Sequence, residues 1–142
     1  MTKHLTATSE ITVQAPTNKV WEALTKPALI KQYMMGAEVE TEWKVGGPLV
    51  YTGTYQGKRF EEKGVIQKLE PGKLLQATHF STSSGKPDKP ENYALVTWQL
   101  AAQGGGTLVK VSQDNLATEQ AVEASQKNWT SVLEGLKKVV ES

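Results

Sequence analysis

Residues 119–141 read EQAVEASQKNWTSVLEGLKKVVE, and they decide what the rest of the chain has to be. Val122, Ser125, Trp129, Val132, Leu133, Leu136, Val139 and Val140 follow one helical stripe, while Glu123, Lys127, Glu134, Lys137 and Lys138 take the opposite side. The spacing predicts a single long helix from Thr118 or Glu119 to Glu141. Such a helix has an apolar face that something else in the chain must cover.

The segments before it supply the cover. Tyr93–Ala102 and Thr107–Gln113, joined by Gly104-Gly105-Gly106, read as strands, as do Leu49–Tyr55, Arg59–Leu69 and Leu74–Ser81. Gly46-Gly47-Pro48, Gln56-Gly57 and Glu70-Pro71-Gly72-Lys73 are the turns between them. Ala37–Trp43 sets Val39, Thr41 and Trp43 against Glu38, Glu40 and Glu42, a strand with an outward acidic side. Thr82–Asn92 holds two prolines and no large apolar residue, so it reads as a long, exposed, mobile loop.

At the other end, Thr6–Ala15 alternates as a first strand, and Pro16 stops its ladder. Thr17 or Asn18 can cap a helix bearing Val20, Trp21 and Leu24. Lys26-Pro27 ends it and permits a second short helix, Ala28–Tyr33, with Leu29, Ile30 and Tyr33 buried. The order is strand, two short helices, about six more strands and a long helix. An α+β architecture follows, in which a six- to seven-stranded curved antiparallel sheet wraps the terminal helix. A twisted sheet cannot touch one helix across its whole width, so a cavity between them is expected.

Composition narrows the function. The 142 residues, 38% hydrophobic and 22% charged, are the length and make-up of one soluble domain, with no membrane span and no basic, apolar leader at Met1–Glu10. A cytoplasmic address is the expectation. The chain has no cysteine, so disulfides, thiolate nucleophiles and cysteine-held metals are excluded. A net charge of +1, with Arg59 the single arginine, gives no grip on a phosphate backbone, and no nucleic-acid partner is expected. Neither glycine cluster matches a phosphate-binding loop, no Gly-x-Ser-x-Gly elbow occurs, and His4 and His79 form no metal pair. No metal and no cofactor is expected.

Ala15-Pro16, Val20-Trp21 with Leu24, Val45-Gly46-Gly47, the run from Gly64 to Glu70-Pro71-Gly72, and Asn128-Trp129 followed by Leu133 and Leu136 together carry a resemblance. The chain resembles the START-like (SRPBCC, helix-grip) superfamily over about residues 5 to 141, and within it the branch named after the activator of heat-shock protein 90 ATPase. The resemblance implies a deep hydrophobic pocket and a small hydrophobic ligand such as a lipid, sterol, flavonoid or polyketide-like molecule. It also implies two alternatives: a co-chaperone-like module that contacts a chaperone, and a cyclase or hydratase type of enzyme that uses His79 with a tyrosine as acid or base.

Within that frame, alternation places Leu75, Ala77 and His79 on one face, so the His79 imidazole either lines the pocket or is a half-buried strand residue bonded to a neighbour. Tyr51, Tyr55, Tyr93, Val96 and Trp98 are wall candidates on strands, although packing explains them equally. Trp129 and Trp21 tie their helices to the sheet, and Trp129 also faces the candidate pocket. Met34-Met35 is a candidate adaptable rim. Glu61 and Glu62 point to opposite faces and read as a solvated edge, with the option that one of them turns inward to pair with His79. Glu38, Glu40 and Glu42 beside the 82–92 loop are the surface offered to a protein partner.

Overall fold

The computed structural model describes residues 5–34, 36–82 and 85–141, with the backbone alone at Tyr55. Strand β1 (Leu5–Val13) leads into helices α1 (Thr17–Thr25) and α2 (Pro27–Tyr33). Then come β2 (Glu38–Thr41), β3 (Pro48–Tyr55), β4 (Lys58–Glu70), β5 (Leu74–Ser81), a 3-10 turn at Pro90–Asn92, β6 (Ala94–Gln103), β7 (Gly106–Leu116) and α3 (Glu119–Glu141). All strands join one antiparallel sheet in the order β1-β7-β6-β5-β4-β3-β2. The expected helix-grip architecture is what the chain adopts: β2 to β7 meander, and the two short helices carry the chain from one sheet edge to the other.

Alternation explains which side is inside. Leu75 and Ala77 of β5, Val96, Trp98 and Leu100 of β6, and Val109 and Val111 of β7 are all buried, and they face Trp129, Leu133 and Leu136 of α3. Removing Leu133 and Leu136 from water stabilises the helix-on-sheet contact by about 2 kcal/mol each. Helix α2 lies close to α3 because Gly135 has no side chain: a Cβ there would come within 3.1 Å of Tyr33 Cβ. The Tyr33 hydroxyl donates to the Ala23 carbonyl and so ties α2 to α1. No helix among the described residues is long and apolar enough to cross a membrane.

Several expectations need correction. The first helix is capped by Pro16, without a side-chain bond, rather than by Thr17 or Asn18; the Pro16 carbonyl accepts the Lys19 and Val20 N–H groups. Strand β2 is shorter than Ala37–Trp43, because Trp43 turns to φ 51 and its N–H bonds the Thr41 hydroxyl. The stretch from 85 to 91 is exposed, as expected, and contacts that its composition does not announce join the 85–92 segment to the sheet. Asp88 accepts a hydrogen bond from the Tyr93 hydroxyl and an ion pair from Lys63, Asn92 Nδ2 bonds the Pro87 carbonyl, and Tyr93 stacks on Phe80 at 5.0 Å. The acidic surface is also less bare than its sequence. Lys31 pairs with Glu38 and Lys44 with Glu42, and β3 and β4 separate β2 from the strand that leads into the loop. His4 and Met35 lie outside the described residues.

Candidate functional site

A cavity of about 330 Å³ lies between α3 and the inner face of the sheet. Its apolar wall comes from strand alternation: Leu49 from β3, Leu75 and Ala77 from β5, Val96 and Trp98 from β6. Across from them α3 contributes Trp129 and Val132, with Asn128 and Ser131 at its exposed side, and Tyr33 and Met34 close the end of α2. Trp98 and Trp129 meet edge to face, with centroids 5.7 Å apart and planes at 90°. The Trp129 indole is held in that pose because Nε1 donates to Gln113 Oε1 at 2.9 Å, and Ser125 donates to the same oxygen at 3.3 Å.

The polar end of the cavity is assembled by strand register. Tyr51 of β3 sits opposite Glu62 of β4, and Glu62 sits opposite Ser81 of β5, which leaves His79 as the diagonal neighbour two residues back. Glu62 Oε1 and His79 Nε2 are 3.1 Å apart, with side chains 33% and 24% exposed. Burial, and next the Glu62 carboxylate, push the Tyr51 phenol well above the ordinary phenol range. Tyr33 is raised by burial and then by Tyr51. Both phenols therefore keep their protons at neutral pH and remain hydrogen-bond donors.

Of the residues singled out from sequence, Tyr51, His79, Trp98, Met34, Val96 and Trp129 come together at this one cavity. The Tyr55 side chain lies outside the described residues. Tyr93 is elsewhere, bonded to Asp88 over the ring of Phe80. Glu62 is a correction: it leaves the solvated edge and turns inward to His79, while Glu61 stays on the other face, where its carbonyl accepts the Thr82 N–H and hydroxyl. Reading the chain missed Tyr33, Gln113 and Asn128. For Gln113 a signal existed, since it continues the inward parity of Val109 and Val111.

The family model for Activator of Hsp90 ATPase homolog 1-like protein matches residues 14–141. Among solved structures, the solution structure of a protein from Cytophaga hutchinsonii is 45% identical, with a TM-score of 0.85 over 99% of this chain and 96% of that one. CalU16 from Micromonospora echinospora is 21% identical, with a TM-score of 0.73 over 99% of this chain and 86% of that one. The Aha1 dimer from Colwellia psychrerythraea is 20% identical, with a TM-score of 0.74 over 96% of each chain. The last two are likenesses of fold alone. No curated protein matches.

Proposed function

The chain belongs to the family of Activator of Hsp90 ATPase homolog 1-like proteins, and from that premise we propose that it binds a small, mostly apolar molecule in the cavity between α3 and the sheet. The observation that carries this reading is the pairing of an aromatic wall, Trp98 edge-on to Trp129, with a polar end at Tyr51, Glu62 and His79. Apolar contact supplies the affinity, at roughly 25 cal/mol per Å² buried, and the polar end orients the ligand. At about 330 Å³ the cavity is at the small end of ligand pockets, which run from about 300 to 1,000 Å³. That size favours a compact fused-ring molecule, flavonoid-like or an aromatic polyketide, over a sterol or a long acyl chain.

Titration of the ¹⁵N-labelled protein with fatty acids, sterols, flavonoids and aromatic polyketides tests the reading. The expected result is a saturable shift of the Trp98 and Trp129 indole signals with the ring compounds, weakened about tenfold or more by Trp98→Ala. Silence across the whole library overturns it. Contact with a chaperone, which the family's name suggests, would then be assayed by stimulation of the chaperone's ATPase.

A further inference from the structure

The polar end of the cavity is built for more than orientation. With the Glu62 carboxylate as acceptor, the neutral His79 ring carries its hydrogen on Nε2 and its basic lone pair on Nδ1. An imidazole held in one tautomer by a carboxylate, with its second nitrogen unprotonated, is the arrangement of a general base. Tyr51 stands opposite Glu62 in the strand register and lines the same cavity, so a protonated phenol and the imidazole, on strands either side of Glu62, both face the space a ligand would fill. Leu49, Ala77, Val96 and Trp98 line the same cavity, as do Lys63 and Thr78, the chain neighbours of Glu62 and His79.

We infer that this corner is a proton-transfer site, in which His79 takes a proton from a carbon beside a ligand carbonyl while the Tyr51 hydroxyl hydrogen-bonds the carbonyl oxygen. It rests on the cavity admitting a small molecule, as proposed above. The C–H bond breaks, its electron pair becomes the C=C bond of an enolate, and the carbonyl π pair moves to oxygen. The proton resides on His79 Nδ1, and the imidazolium formed faces the Glu62 carboxylate, which stabilises it. Return of a proton to carbon closes the cycle, with no oxidant or reductant. His79 and Tyr51 touch the reacting group; Glu62 is a positioning residue.

Two probes carry the required grouping on a flat apolar body: 2-tetralone and flavanone, each with a CH₂ beside its carbonyl. In D₂O the protein should speed loss of those α-hydrogens, followed by ¹H NMR, saturably and beyond imidazole at equal concentration. His79→Gln and Tyr51→Phe should each lower kcat by about 100-fold, while the indole shifts still report binding. Glu62→Gln keeps an oxygen for the Nε2 hydrogen and removes the charge. It should lower kcat by about tenfold with KM unchanged, a split that mere loosening of the site would not give. Thermal melts show whether each variant remains folded, and the conservative Tyr51→Phe serves if His79→Gln does not. Binding of either probe without accelerated exchange, or a folded His79→Gln as fast as wild type, overturns the proposal and leaves the binding reading standing. Failure of both probes to bind also overturns it, and the wider indole titration decides the binding reading separately.

Discussion

Gly64 marks the tightest point beside the candidate site. A Cβ at this position would lie 1.7 Å from the Thr78 carbonyl oxygen, and the Thr78 hydroxyl accepts the next N–H, from Val65, at 2.8 Å. Strands β4 and β5 are drawn together here, and the same seam brings Glu62 to His79. Gly64→Ala must push the strands apart, so it is expected to cost about 3 kcal/mol or more, read as a lowered urea midpoint. A Gly64→Ala protein as stable as wild type would show that the seam yields freely. The sequence near Gly64 carries no warning of this, because the obstructing atom is fourteen positions away on another strand. Strand alternation groups His79 with Leu75 and Ala77, and Tyr51 with Leu49, and those are the faces that line the cavity. Glu62 was not legible, since alternation separates Glu61 from Glu62 without telling which one turns inward.

At the scale of elements, α3 was the most legible, because a 23-residue amphipathic stripe admits one reading. Its start is set by the Thr118 hydroxyl, which accepts the Ala121 N–H at 3.0 Å, and Thr118→Ala should lower stability by about 1 kcal/mol. Leu136, fully buried against the sheet, should cost about 2–5 kcal/mol as Leu136→Ala, with both values taken from urea unfolding. The 85–92 segment was legible as an exposed loop, but its ties to the sheet were not. Its residues are polar one by one, and what holds them is Lys63 on β4 and Asn115, whose side-chain amide bonds the Glu91 and Tyr93 carbonyls from β7. Removing the carboxylate with Asp88→Asn should speed hydrogen exchange of the Asn92 and Tyr93 amides and leave β6 and β7 amides unchanged. Equal protection in the variant would show that Asn115 and the Phe80–Tyr93 stack suffice.

For the molecule as a whole, topology separates what could be read from what could not. Each strand residue of the wall obeys a local period of two, but the cavity exists because β1 pairs with β7 and the meander then returns across α3. Register among β3, β4 and β5 assembles the polar end, and no local pattern states it. Long-range placement also shapes the response to pH. Glu141 at the end of α3 is held below the ordinary carboxylate value of 4.5 by the Gln14 N–H and then by Lys137, linking the last helix to the segment after β1. Such a carboxylate binds fewer protons folded than unfolded, so its contribution is present above pH 4.5 and is lost as pH falls through its lowered value. Tyr51 acts at the opposite end. Its raised pKa lets the unfolded chain ionise first above the ordinary phenol value of 10.0, so stability falls as pH rises from there. Urea unfolding measured across pH should therefore show a plateau with two limbs. Glu141→Gln should make only the acid limb shallower, with Asp88 keeping part of it, and Tyr51→Phe only the alkaline limb, with Tyr33 keeping part of that. An acid limb unchanged in Glu141→Gln would mean that the contact between the end of α3 and Gln14 is not formed in solution. An alkaline limb unchanged in Tyr51→Phe would mean that the Tyr51 phenol is hydrated in solution rather than desolvated beside Glu62.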